Sequence, residues 1–214
     1  MIPNLICSKR HFLKTVAKIF DPIGFISPFV TRVKCLLQQL CELGLDFDDA
    51  VPQRVRQNWL EWCAEVETLK SFSLKRTLFS NYDVDEMEIH VFADSSTKAY
   101  GAVAYIRHKR SFEVQCVLSK TRVAPVKTLP RLELLGALIA SYLKCLLRIS
   151  ACDIYCWTDS STALNWIKGS DIRWQQFVAN WVREIQTLTY PGNFVRAART
   201  QSIYSLAVVP RRSS

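Results

Sequence analysis

Hydrophobic positions recur along this chain with two periods, and the change from one to the other falls near residue 86. Up to that point the spacing is helical. Phe12, Leu13, Val16, Ala17, Ile19 and Phe20 predict a helix over 11–20, stopped at Asp21-Pro22 because a residue before proline avoids the helical region. A short apolar turn, Ile23-Gly24-Phe25-Ile26-Ser27-Pro28, follows, with Ser27 suited to cap the next helix and Pro28 to its first position. Val30, Val33, Leu36, Leu37, Leu40 and Cys41 give the stripe of a helix over 29–43, with Gly44 as its C-cap. After an acidic connector at 46–50, Pro52 opens a third helix to about Leu69 that carries Val55, Leu60, Trp62, Cys63 and Val66. Residues 72–85 turn mixed and turn-rich, which marks a domain boundary.

From Glu86 the period is two. Strands are expected over 88–93, 99–107 and 112–119, joined closely enough to form an antiparallel meander. On the first, Ile89, Val91 and Ala93 share one face and His90, Phe92 and Asp94 the other. A loop at 125–130 leads to a long helix over 130–148, then a strand over 153–158, a short helix over 161–168, an amphipathic helix over 172–188 and a last strand over 193–196. The pattern is that of an α/β domain behind a small helical module.

Composition narrows the class. With 49% hydrophobic and 22% charged residues the chain has ordinary globular composition, and it shows neither a signal-peptide pattern nor an apolar run long enough for a membrane, so an intracellular protein, cytoplasmic or nuclear, is expected. Eight cysteines lie inside apolar patterns without Cys-x-x-Cys spacing and read as reduced core thiols; Cys152 and Cys156 share a strand face, a weak metal signal. His11, His90 and His108 are scattered, which disfavours zinc. The net charge of +9 is unevenly placed: 11 Lys and Arg face 10 Asp and Glu up to residue 85, but 17 face nine from 86 onward. A basic second part most often meets a polyanion, and a dispersed charge that aids solubility is the bland alternative.

Against that basic background three acids fall at telling places. Asp94 closes the first strand, Glu133 lies in the first turn of the long helix, and Asp159 closes the fourth strand. Gly136, Ala137 and Ala140 share the face of Glu133, and such small residues let a helix press close to a sheet. Carboxyl ends of strands are where α/β sheets place their sites. Clustered carboxylates suit a hard cation such as Mg2+, and a pair of such ions would serve phosphodiester hydrolysis. Each acid alone also has a structural reading: Asp94 as the start of a turn, Asp159 as a helix cap, and Glu133 as a charge matched to a helix's positive end.

The run Phe92-Ala93-Asp94-Ser95-Ser96, then Leu129-Pro130-Arg131-Leu132-Glu133-Leu134, then Trp157-Thr158-Asp159-Ser160-Ser161-Thr162-Ala163-Leu164-Asn165-Trp166-Ile167 resembles the ribonuclease H region of BEL/Pao retrotransposon polyproteins. Ala17-Lys18-Ile19-Phe20-Asp21-Pro22-Ile23-Gly24-Phe25-Ile26-Ser27-Pro28 is similar to the segment after the reverse transcriptase palm in the same elements. The resemblance spans about residues 10–199. It implies a ribonuclease H-like mixed five-stranded sheet flanked by helices over 86–199, a connection region at 1–85 without its palm, and an atypical tail at 200–214. It further implies Mg2+ (or Mn2+) dependence and cleavage of the RNA strand of RNA:DNA hybrids, with Asp94, Glu133 and Asp159 as catalytic metal ligands. Ser95, Ser96 and Ser160 would line the site or touch phosphate, and Lys98, Arg122 and Arg131 are candidate nucleic-acid contacts. Its partners would be the hybrid and the rest of the polyprotein, palm and integrase, with no membrane.

The family is also named for a peptidase, but an aspartic protease needs Asp-Ser/Thr-Gly where both candidates here read Asp-Ser-Ser. No Tyr-x-Asp-Asp occurs, so polymerase chemistry is excluded for these residues. The resemblance also implies a fourth aspartate after the last strand, yet residues 197–214 hold no Asp or Glu, and Glu184 is expected to face solvent. Besides an active nuclease, the sequence therefore admits a catalytically impaired relic that binds nucleic acid. A protein-interaction scaffold built on Trp157, Trp166, Trp174 and Trp181 is the reading from another class.

Overall fold

A computed structural model describes residues 7–69, 71, 73, 84–126, 132–147, 153–169 and 174–197. The chain divides into two compact units, Met1–Asp21 with Phe29–Ser80, and Pro22–Pro28 with Asn81–Ser214.

The first unit is built on α1 (Lys9–Ala17), α2 (Ser27–Glu42) and α3 (Gln53–Leu69). Ser8 caps α1 by accepting from the His11 N–H, and the helix stops at Ala17, which leaves Phe20 outside it and 89% exposed. Ser27 begins α2 from inside its first turn, not as a cap before it. Gly44 ends α2 with φ +68°, the left-handed conformation that glycine adopts without strain, and the Leu45 N–H then reaches back to the Leu40 carbonyl. The core gathers Phe12, Val33, Leu36, Leu40, Val55, Trp59 and Trp62. The stripe of α3 differs from the expected one: Trp59 is fully buried and Leu60 faces solvent, because Val55, Trp59 and Trp62 follow the i, i+4, i+7 spacing of one face. Phe12 stacks on Trp59 with ring centroids 4.0 Å apart, and the Trp62 indole N–H donates to the Phe29 carbonyl at 3.0 Å.

The second unit holds β1 (Met87–Ser95), β2 (Ala99–His108), β3 (Val114–Val123), α4 (Leu132–Leu147), β4 (Asp153–Thr158), α5 (Ser161–Lys168), α6 (Gln176–Leu188) and β5 (Phe194–Arg196). The strands form one sheet in the order β3-β2-β1-β4-β5, antiparallel through the meander and parallel from β1 to β4 to β5. This is the mixed five-stranded α/β architecture that the resemblance implies. Strand β3 starts two residues later than expected, because Phe112 has φ 59° and belongs to the loop that the His108 and Glu113 backbones close. The alternation of β1 holds: Ile89, Val91 and Ala93 are buried, and α4 covers the sheet with Leu134, Ala137, Ala140 and Leu143. Each fully buried Leu, Ile or Val contributes about 1.5–3 kcal/mol.

Among the described residues every cysteine is a free thiol. Cys156 is fully buried, and burial pushes its thiol pKa up to about 12, whereas Cys41 and Cys145 are exposed and so are not core thiols. Cys152 lies outside the described residues. No helix among them is long and apolar enough to cross a membrane.

As the first strand in the sheet order, β3 has a free side, and the turn Pro22–Pro28 covers part of it: the Ser119 N–H donates to the Ile23 carbonyl at 2.8 Å. Gly24 lies against this strand with φ +73°, and a Cβ there would stand 2.0 Å from the Ser119 carbonyl oxygen. Left-handed strain and a backbone collision therefore act together. Gly24→Ala is expected to destabilise the second unit by about 2 kcal/mol or more, read as a lower urea midpoint with an unchanged slope.

Candidate functional site

The carboxyl ends of β1 and β4 set the geometry. These strands are parallel and adjacent, and their register pairs Phe92 with Trp157. Asp94 and Asp159 each stand two residues further on, so both acids emerge at the same level of neighbouring strands whose backbones are about 4.8 Å apart. The connection from β1 to β4 runs through α4, whose first turn carries Glu133. Gly136 explains how near that turn comes: a Cβ at Gly136 would lie 3.2 Å from the Asp94 carbonyl oxygen and 3.6 Å from its nitrogen. Ala137 and Ala140 are fully buried on the same side. One turn before Gly136, Glu133 thus stands above the end of β1, half-buried like Asp94, while Asp159 is exposed.

Neighbouring side chains take up several of the structural tasks that the acids were thought able to perform. Ser160 is the N-cap of α5, accepting from the Ala163 N–H at 3.1 Å, so Asp159 is not the cap. The Ser96 hydroxyl accepts from the Lys98 and Ala99 N–H groups and donates to the Ala99 carbonyl, closing the β1–β2 turn. These two serines, expected to line the site, are engaged by the local backbone. Asp94 accepts through Oδ1 from the Ser95 N–H at 2.7 Å. Lys98 and Arg122 are exposed, Lys98 in the β1–β2 turn and Arg122 near the end of β3. Arg131 lies outside the described residues. Glu184 departs from expectation: it is half-buried and accepts from the Tyr142 hydroxyl, tying α6 to α4 instead of facing solvent.

An all-carboxylate donor set is the kind that hard divalent ions take, and the fold gathers Asp94, Glu133 and Asp159 at one end of the sheet. Among the described residues, no group of three or more His, Cys, Asp or Glu side chains converges as for a metal ion. The residues fit such an ion in chemistry and in placement on the fold, while the side chains as they stand are not drawn together around one point. A second polar group escaped the sequence reading, which treated His90 as isolated. Alternation places Glu88, His90 and Phe92 on the face that Tyr155 and Trp157 share on β4, and the structure joins Glu88, His90 and Trp157 by hydrogen bonds.

The family described as Pao retrotransposon-like RNaseH-like domain matches residues 8–160. The chain belongs to that family. The match includes all three acids and ends one residue after Asp159. No curated protein matches the chain. Among solved structures it is similar to the foamy viral protease-reverse transcriptase in complex with RNA/DNA hybrid, at 10% identity and TM-score 0.48, covering 89% of this chain and 27% of that one. It is also similar to the same viral protein in complex with double-stranded DNA, at 13% identity and TM-score 0.46, covering 87% of this chain and 40% of that one. The Pao-family chain thus spans well under half the length of these neighbours.

The cap assignment is open to test. Ser160→Ala removes one acceptor from the start of α5 and is expected to cost about 1 kcal/mol, seen as faster amide hydrogen exchange at Ala163 and Leu164. Asp159→Asn is expected to leave that exchange unchanged.

Proposed function

We propose that this chain hydrolyses the RNA strand of RNA:DNA hybrids, with Asp94, Glu133 and Asp159 as its catalytic carboxylates. The observation that carries the reading is the parallel register of β1 and β4, which brings two aspartates level at one end of the sheet, with Glu133 above them. Bound Mg2+ or Mn2+, held by these three residues, would neutralise charge at the scissile phosphate and lower the pKa of the attacking water. The chain's own contribution is placement. The parallel strand ends fix the two aspartates, and the close approach at Gly136 keeps Glu133 with them. Ser95, next to Asp94, and the exposed Lys98 and Arg122 would meet the nucleic-acid backbone; Arg131 is assigned to the same task by charge and position in sequence. The excess of basic residues from 86 onward supports a polyanionic partner. Family membership supports a place within a retroelement polyprotein, with residues 1–85 as the connection to a reverse transcriptase palm and 86–199 as the hydrolytic domain.

A second reading has one specific observation in its favour. Residues 197–214 contain no Asp or Glu, and a chain relying on three acids would bind hybrid without cutting it.

Incubating the purified chain with a labelled RNA:DNA hybrid in Mg2+ and in Mn2+ separates the two. Cleavage of the RNA strand is expected, falling about a hundredfold or more in Asp94→Asn. Absence of cleavage in both metals, with salt-sensitive hybrid binding retained, would overturn hydrolysis and leave the binding reading.

A further inference from the structure

On the sheet face away from α4, His90 lies between Glu88 and Trp157. The Trp157 indole N–H, which can only donate, reaches His90 Nδ1 at 3.0 Å. Nδ1 is therefore unprotonated, and the ring's proton sits on Nε2, which donates to Glu88 Oε1 at 3.0 Å. Arg107 on β2 donates to the same carboxylate. The group is well enclosed, with the His90 and Glu88 side chains 16% and 11% exposed. His90 also stacks on Tyr155 at 5.3 Å between centroids, and Phe92 on Trp157 at 6.0 Å with 14° between planes. Burial pushes the Glu88 carboxyl up, but hydrogen bonds from His90 and Arg107 outweigh it and hold the carboxyl below the usual glutamate range.

The Trp157–His90 bond crosses from β4 to β1. Trp157 precedes Asp159 by two residues, and Phe92, its partner in register, precedes Asp94 by two. We propose that neutral His90 is a positioning residue: through Trp157 it clamps β4 to β1 and steadies the strand ends that carry Asp94 and Asp159, and protonation at Nδ1 releases the clamp. The proposal rests on the reading of those two aspartates as catalytic carboxylates. Protonating Nδ1 removes the only acceptor that Trp157 meets on the ring, while Nε2 still donates to Glu88. The ionisable groups around the ring are Glu88 on β1, Arg107 and Tyr105 on β2 and Tyr155 on β4, and near the other end of these strands Lys109 pairs with Asp153 at 2.9 Å. None of them needs to change its charge for the clamp to open.

The test uses the full chain, labelled with 15N and titrated over about pH 5–8, the range in which histidine changes charge. The His90 ring is expected to show the Nε2–H tautomer at high pH. The Trp157 indole N–H and the Asp94 and Asp159 amides should shift with the midpoint of the His90 ring. His90→Asn keeps an acceptor at the position of Nδ1, so it should hold Trp157 and abolish that midpoint. Trp157→Phe should leave the two aspartate amides at their low-pH positions at every pH. Hybrid cleavage should fall about tenfold as pH drops through the midpoint in the wild type, and that fall should be absent from His90→Asn. Aspartate amides that stay fixed while His90 titrates would overturn the clamp. Coupled amide shifts without cleavage at any pH would support the clamp and overturn the hydrolytic reading, so the two fail separately.

Discussion

Parallel pairing of β1 with β4 is the constraint on which the rest of this domain depends. Antiparallel neighbours such as β1 and β2 can be joined by a turn of a few residues, but parallel strands need a crossover that returns the chain to its starting edge. Here that crossover is α4, and its route decides where the site is. A chain leaving the end of β1, making the β2–β3 excursion and then laying a helix back across the sheet must begin that helix above the strand ends. Glu133 is at that beginning, and the same topology that makes β4 parallel delivers Asp159 level with Asp94. The proposed site and the fold would therefore have one cause.

How close the layers come is settled by volume. A Cβ at Gly136 would stand 3.2 Å from the Asp94 carbonyl oxygen, tighter than side-chain carbons usually tolerate, and Ala137 and Ala140 fill the rest of that face without bulk. Larger residues there would lift the first turn of α4 and carry Glu133 away from the aspartates. The opposite face of the sheet is organised differently, by His90, Phe92, Tyr105, Tyr155 and Trp157 in mutual ring contact around the buried Glu88. Apolar packing sets the depth of the helix; hydrogen bonds and stacked rings fix the strands against each other.

Much of this was legible in the sequence because period and punctuation are local. The alternation through Ile89, Val91 and Ala93, the coincidence of Asp94 and Asp159 with strand ends, the small-residue face of α4 and the left-handed Gly44 all follow from nearest neighbours along the chain. What was missed depends on partners distant in sequence or on fine angular position. Trp59 and Leu60 are both apolar neighbours, and only the packing of three helices selects the first. Glu184 was read as a solvent acid because nothing near it in sequence reveals Tyr142 across the helix pair. His90 looked isolated for the same reason, its partner Trp157 being 67 residues away. Phe112 fits a strand by composition, yet closing the loop between β2 and β3 demands φ 59° at that point.

The three acids would be weak evidence of chemistry if each were needed to hold the fold. For one of them the structural task is filled by a neighbour: Ser160 caps α5, the task open to Asp159. Ser96 closes the turn after β1 with three hydrogen bonds, and Asp94 accepts from the adjacent Ser95 N–H. Glu133 keeps a structural explanation, since a carboxylate in the first turn of α4 meets the helix's positive end. That explanation accounts for an acid in the first turn but not for the glycine one turn later that draws this turn down to Asp94. Like charges at the ends of adjacent strands repel unless a cation stands between them. On the proposed reading, a pair of aspartates held level by strand register awaits a cationic partner, which would offset the charge that the register brings together.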